Sequence, residues 1–269
     1  MNIIGNPNRN RSPDFSLEDK TYFYEINGIP YRNEICCIDL SKTLLPSKTQ
    51  DEHAEHRLNA KSGEFYLEDI SLYYALVAAL YSNRGSQSFK DQIEEARQFI
   101  KESILKNWLM TLTRIGYNPN GNDLIIHNYH QPDEWGVKID TFVGPDGYLN
   151  DVSTTNAERP LQALLGTQQN ANEINSVYNW LTGGNAYIWR VNLHPEKFDE
   201  RVAGLSAGSD RAYLSCRRSP SNSGGGLGVA KLAPLSIVQP TLEQTLGVIN
   251  NPDLNREGMS RAVSQLYEH

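Results

Sequence analysis

The stretch from Phe89 to Trp108 repeats apolar residues every three or four positions, and this spacing constrains the fold more than any other feature. The repeat consists of Phe89, Ile93, Ala96, Ile100, Ile104 and Trp108. A period near 3.6 places these side chains on one stripe of a helix, which needs a core to cover. Ser88, three residues before Asp91, predicts an N-terminal cap. The turn residues of "GYNPNGND" (116–123) predict that the helix ends before them.

Four other segments have helical patterns. "YLEDISLYYALVAALYSNRG" (66–85) is apolar nearly all round and predicts a central buried helix that closes at Gly85. "RPLQALLG" (159–166), with Pro160 suited to a first turn, and "NEINSVYNWLTGG" (172–184) predict two more. "PEKFDERVAG" (195–204), opened by proline and closed by glycine, predicts a short helix. The polar segment 45–63 fits either a loop or a short exposed helix.

The remaining segments alternate with a period of two and predict strands. "TYFYEINGIPY" and "EICCIDL" predict two short strands, and 123–152, with a turn at "GPDG", predicts a β-meander. "AYIWRVNL", "RAYLSC" and "LGVAKLA" predict later strands. We therefore predict an α+β fold in which one mostly antiparallel sheet is covered by helices from both halves. Residues 1–18 are expected to form a flexible arm, and residues 19–269 a single domain with a helical tail from about 235.

Composition narrows the functional classes. The chain has 269 residues, 39% of them hydrophobic, and a net charge of −7, which argues against binding to nucleic acid or to an anionic membrane. No apolar run is long enough to cross a bilayer. Three cysteines, two of them adjacent, predict reduced thiols rather than a disulfide framework. These features predict a soluble intracellular protein of the cytoplasm.

The segment "LIIHNYHQPDEW" (124–135) holds the first candidate site. His127 and His130 are three residues apart, and on a strand such residues point to opposite sides of the sheet. A turn at Pro132 would bring His130, Asp133 and Glu134 toward the side where His127 points. The four residues His127, His130, Asp133 and Glu134 are the candidate catalytic set, for acid–base chemistry or for a metal ion. The alternative is a strand end with hydrogen-bonded histidines.

The segment "CRRSPSNSGGGLG" (216–228) holds the second candidate site. Arginines form paired hydrogen bonds to phosphate, and glycine backbones allow an anion to approach their N–H groups. The candidate anion-binding residues are Arg217, Arg218, Gly224, Gly225 and Gly226. The alternative is a flexible surface loop between two strands.

Three other patterns favour structural interpretations. "HAEH", with His53 and His56, is expected to lie on a solvated face. "GLSAG" around Ser206 matches a nucleophile elbow, but the predicted order of elements is reversed and the only later histidine is His269. The aromatic residues of two segments are expected to pack in the core: Tyr66, Tyr73, Tyr74, Tyr81, Trp180, Tyr187 and Trp189.

Two functional hypotheses follow. The first is a binding protein for a small molecule or a protein partner. The alternative is a hydrolase or transferase that acts on an anionic substrate with a metal ion or a His/carboxylate pair, while Arg217 and Arg218 hold the anionic group. The sequence identifies no cofactor, no metal and no oligomeric state.

Overall fold

The computed structural model describes residues 15–139, 155–190 and 195–234, which contain ten strands and five helices. The strands are β1 (Ser16–Asp19), β2 (Phe23–Tyr31), β3 (Glu34–Leu44), β4 (Leu109–Tyr117), β5 (Asp123–His127), β6 (Trp135–Ile139), β7 (Asn185–Arg190), β8 (Asp199–Ala207), β9 (Arg211–Arg218) and β10 (Leu227–Pro234). The helices are α1 (Gln50–Asn59), α2 (Ile70–Asn83), α3 (Lys90–Lys106), α4 (Thr155–Leu165) and α5 (Ala171–Thr182).

The described strands form two sheets, with orders β1-β2-β3-β10 and β6-β5-β4-β8-β9-β7. Neighbours pair antiparallel throughout the second sheet except β7 and β9, which are parallel. The predicted α+β class with mostly antiparallel strands is confirmed. The described strands divide between two sheets, however, and not one as predicted: β1, β2 and β3 pair with β10 and with no strand of the second sheet.

The two most apolar helical patterns are confirmed. In α2, Ile70, Leu72, Leu76 and Leu80 are fully buried, and Asp69 caps the helix by accepting a hydrogen bond from the Leu72 N–H at 2.8 Å. The predicted stripe of α3 is buried from Ile93 to Ile104. The predicted Ser88 cap is wrong: Phe89 occupies the N-cap position, where its hydrocarbon side chain cannot accept a hydrogen bond, and its ring packs against Phe15 with centroids 5.8 Å apart.

Strand β4 was not predicted, although it lies at the centre of the second sheet. Every residue from Leu109 to Tyr117 is buried, so the strand has no polar alternation to reveal it. Trp108 continues the spacing of the helix, yet α3 ends at Lys106. A strand covered on both faces resembles the continuation of a buried helix when only periodicity is considered.

Strand β8 replaces the helix predicted over 195–204, and that prediction is wrong. Its residues Val202, Ala203 and Gly204 are buried, and the strand pairs with both β4 and β9. Gly204 does not end a helix: a Cβ there would lie 2.6 Å from the Leu109 carbonyl oxygen. Pairing with the distant strand β4 and with the adjacent strand β9 overrode a local proline and glycine pattern.

The other helices show where local signals are sufficient. Helix α5 has a capping box between Asn170 and Glu173 and ends at Gly183, which has a φ of 85°. Helix α4 begins before the predicted segment, so Pro160 lies inside it and not in its first turn. The polar segment 45–63 contains helix α1, which is not simply exposed, because Gln50, His53 and Ala54 are buried.

The predicted meander is confirmed through the β5–β6 pair, while 140–152 and the tail from 235 lie outside the described residues. Residues 16–18, the end of the predicted flexible arm, belong to β1. The described chain up to Ala233 forms one compact unit. Among the described helices, none is both long and apolar enough to cross a membrane.

Candidate functional site

His127 lies at the end of β5 and points into the core, with no exposed surface. Its Nε2 atom donates to the Ala163 carbonyl at 3.0 Å, and its Nδ1 atom lies 3.1 Å from the Thr113 hydroxyl. Its ring stacks on Trp135 with centroids 4.2 Å apart. Burial lowers the pKa of His127, and both ring nitrogens are engaged. The geometry is that of a neutral structural histidine.

The chain does turn after His127, but the turn carries His130 away from it. His130 has a φ of 58°, and its exposed ring stacks on Tyr129 at 4.2 Å. Glu134 accepts a hydrogen bond from the backbone N–H of His130 at 2.7 Å, so its carboxylate holds the turn. Asp133 lies elsewhere, between two arginines. The structure therefore does not bring His127, His130, Asp133 and Glu134 together.

Asp133 belongs to a charged network that crosses several elements. Its carboxylate accepts hydrogen bonds from Arg32 at 2.8 Å and from Arg57 at 3.1 Å. Burial opposes ionisation, but the hydrogen bonds and charges of these arginines hold the pKa of Asp133 below its usual range. Within the described ranges, no group of three histidine, cysteine, aspartate or glutamate side chains has the arrangement of a metal site.

The same network contains two buried carboxylates that the sequence analysis missed. Glu68 accepts from Arg57 at 2.8 Å, and Asp69 accepts from Arg32 at 3.1 Å. Neither carboxylate side chain has exposed surface. Burial raises the pKa of Glu68 to about 8, against the charge of Arg57. The position of Asp69 before an apolar helix was a capping signal, but no local signal identified the partners.

The glycines at 224–226 are explained by close backbone packing. The carbonyls of Gly224, Gly225 and Gly226 accept hydrogen bonds from His53, Met110 and Leu45 respectively, at 2.8–2.9 Å. A Cβ at Gly226 would lie 2.2 Å from Leu67 and one at Gly225 would lie 2.6 Å from Leu45. This packing needs no bound anion.

The prediction of a solvated face for His53 and His56 is wrong for His53, which is fully buried. Its Nε2 atom lies 2.9 Å from the Gly224 carbonyl, and burial lowers the pKa of the ring.

Ser206 lies in β8, which leads into β9, so the strand–helix context of a nucleophile elbow is absent there. Tyr73 and Tyr74 are buried in α2, and Tyr81 packs at 5.8 Å against Trp180.

Arg217 and Arg218 line a cavity of about 610 Å³, which we call the Arg217 groove. Its lining consists of Trp108, Ser206, Tyr213, Ser215, Arg217, Arg218 and Asn222. Ser206 of β8 lies opposite Tyr213 of β9, and Tyr213, Ser215 and Arg217 alternate along β9 on one face. The groove therefore combines a face of the sheet with the loop that follows β9.

Trp108 forms a fixed wall of the groove. A Cβ at Gly204 would lie 2.6 Å from the Trp108 ring, and one at Gly224 would lie 2.8 Å from it, so two glycines let the backbone close around the indole. The Arg218 guanidinium lies 4.7 Å from the centroid of this ring. The wall thus positions one of the two arginines.

The charges of the groove are unbalanced. Neither Arg217 nor Arg218 has a carboxylate within ion-pair distance in the described part of the chain, and both are exposed. Six other described arginines do have such partners: Arg32, Arg57, Arg97, Arg114, Arg201 and Arg211. No described residue of the lining is acidic. A positive groove in a chain of net charge −7 is suited to an anion.

Comparison with protein-family models, curated proteins and solved structures gave no match.

Proposed function

We propose that the protein binds a small molecule carrying a phosphate monoester in the Arg217 groove. The observation that carries this proposal is the pair Arg217 and Arg218, which line one cavity without a carboxylate partner among the described residues. A guanidinium forms two parallel hydrogen bonds to phosphate oxygens. A phosphate monoester is close to a dianion at neutral pH and balances two such groups.

The other lining residues support the same ligand class. The hydroxyls of Ser206 and Ser215 and the amide of Asn222 can donate to phosphate oxygens that the arginines leave free. Trp108 and Tyr213 offer aromatic faces to the organic part of the ligand. The volume of about 610 Å³ is within the range of small-molecule sites.

The lining supports binding more than catalysis. Apart from the Tyr213 phenol, its described residues include no acid–base side chain: the lining has no histidine, carboxylate, lysine or cysteine to activate water or a hydroxyl. We therefore propose that the protein binds a ligand, in preference to the alternative function of a hydrolase or transferase. We also propose a cytoplasmic location, supported by three buried cysteines that form no disulfide with one another.

Phenyl phosphate is the probe that tests this function, with binding followed by titration calorimetry. We expect it to bind the wild type and to bind the double variant Arg217→Glu/Arg218→Glu at least tenfold more weakly, because two attractive charges become repulsive. The double lysine variant should bind with intermediate affinity, since it keeps the charge and loses the paired hydrogen bonds.

The matched control is Lys61→Glu/Lys90→Glu, which reverses two exposed charges that line neither cavity and changes the net charge by the same amount. It should bind phenyl phosphate like the wild type. Equal binding by the groove variant and the control, or no binding of phenyl phosphate to the wild type, would show that the groove is not a phosphate site. Melting temperatures verify that each variant is folded.

A further inference from the structure

A second cavity, of about 930 Å³, lies between β6, the turn from β2 to β3, and α4 with the residues that follow it. We call it the Trp135 cleft. Its walls combine apolar side chains of β6 and α4 with polar and charged ones, among them Arg32, Lys138 and Arg159. Trp135, Val137 and Ile139 of β6 face Pro160 and Ala163 of α4 across the cleft.

The indole of Trp135 is held rigidly from behind. It stacks on His127, whose own ring is fixed by the Thr113 hydroxyl and the Ala163 carbonyl. On a further side, the Arg32 guanidinium lies 5.4 Å from the centroid of the Trp135 ring. His127 therefore has a part in this cleft as a support for its largest apolar wall, without contacting an occupant.

Two cations stand at the cleft without partners. Lys138 and Arg159 both line it, both are exposed, and neither forms a hydrogen bond or ion pair with any residue the structure describes. Arg32 also lines the cleft, but Asp69 and Asp133 balance its charge. The described lining contains no carboxylate. The positive charges of Lys138 and Arg159 are therefore not balanced by a described carboxylate of the lining, and they lie beside the apolar side chains of β6.

We propose that the Trp135 cleft is a second ligand site, for a small amphipathic monoanion such as an alkyl carboxylate. The alkyl chain would lie against Trp135 and Val137, and its carboxylate would lie against Lys138 and Arg159. The cavity volume is within the range of small-molecule sites. Each buried methylene group should tighten binding roughly fourfold, because it removes apolar surface from water.

Laurate, octanoate and dodecanol are the probes, titrated below their aggregation limits by calorimetry. Laurate should bind more tightly than octanoate, since its chain is longer. The double variant Lys138→Glu/Arg159→Glu should bind laurate at least tenfold more weakly and should bind the uncharged dodecanol as the wild type does. Lys138→Gln/Arg159→Gln, which introduces no repulsion, should give a smaller loss in the same direction.

Lys61→Glu/Lys90→Glu is the matched control, because it reverses two exposed charges that line neither cavity, changes the net charge equally and should leave laurate binding unchanged. The cleft proposal is overturned if the wild type binds no laurate, if both double glutamate variants weaken laurate equally, or if dodecanol responds to the charge reversal as laurate does. The two proposals are tested with different ligands and different variants. A negative result with one ligand therefore does not decide the test of the other site.

Discussion

Replacing Gln50 with leucine is expected to lower the free energy of unfolding by about 3 kcal/mol, because it leaves several buried polar groups without partners. Gln50 has no exposed surface. Its amide nitrogen donates to the Thr111 carbonyl at 2.9 Å and to the Thr113 carbonyl at 3.2 Å. Its amide oxygen accepts from Arg114 at 2.8 Å. These contacts fall where the β4–β8 register shifts, between Met110 and Arg114.

Urea denaturation of the wild type and the variant measures this change. The two free energies of unfolding are compared provided that both proteins show the same denaturant slope (m value). Gln98→Leu provides the matched control: it is the same substitution on α3, where the Gln98 amide donates to the Glu102 carboxylate on the exposed surface. The control should change the free energy of unfolding by less than about 0.5 kcal/mol. If Gln50→Leu matched the control, the amide would not be what supports the centre of β4.

The second large effect is a pH-dependent gain in stability for Glu68→Gln. Burial raises the pKa of Glu68 from 4.5 to about 8, so the folded protein keeps a proton on this carboxyl that the unfolded chain releases. The associated stability is fully present below pH 4.5 and is lost as the pH rises through about 8. Glutamine resembles the protonated acid and does not titrate. The variant should be close to wild type at pH 5 and more stable at pH 9, on the order of 4 kcal/mol.

Chemical denaturation at several pH values gives the two stability curves, and their difference isolates Glu68. The lowered pKa values of His53 and His127 add an opposite slope near pH 6.5, but they do so in both proteins. Glu55→Gln, an exposed change on the neighbouring helix α1, should give a curve parallel to wild type. A Glu68→Gln variant that loses stability equally at pH 5 and pH 9 would mean that the ion pair with Arg57 outweighs the cost of burial.

Local patterns were sufficient for the fold wherever an element carries its own signal. The stripe of α3 and the capping box of α5 need no knowledge of the rest of the chain. Strands β4 and β8 were missed because their residues are buried by strands that are distant in sequence. Leu109 pairs with Leu205, and no local pattern reports a partner so far away.

For the candidate sites, too, residue types could be recognised from the sequence, whereas partners from distant segments could not. Arg217 and Arg218 were recognisable as anion-binding residue types, and the structure places them in one cavity. Trp108 and Ser206, which complete that cavity, come from segments first predicted as a helix and a loop, so the groove itself was not predictable. His127 and His130 are separated by the turn that follows β5 and not by strand alternation, because the strand ends at His127. That His127 would support Trp135 depended on Ala163, a residue of α4.

Helix α1 has few apolar residues of its own, yet its side chains reach four other segments of the chain. Gln50 bonds to β4, His53 to the Gly224 loop, and Arg57 to Glu68 and Asp133. A short polar helix of this kind would unravel alone in water. In this protein, unfolding of α1 would remove hydrogen-bond partners from the central strand β4 and from the buried Glu68 carboxylate at the same time. The helix should therefore belong to the same cooperative unfolding unit as the core, and its amide hydrogens should exchange with solvent as slowly as those of β4.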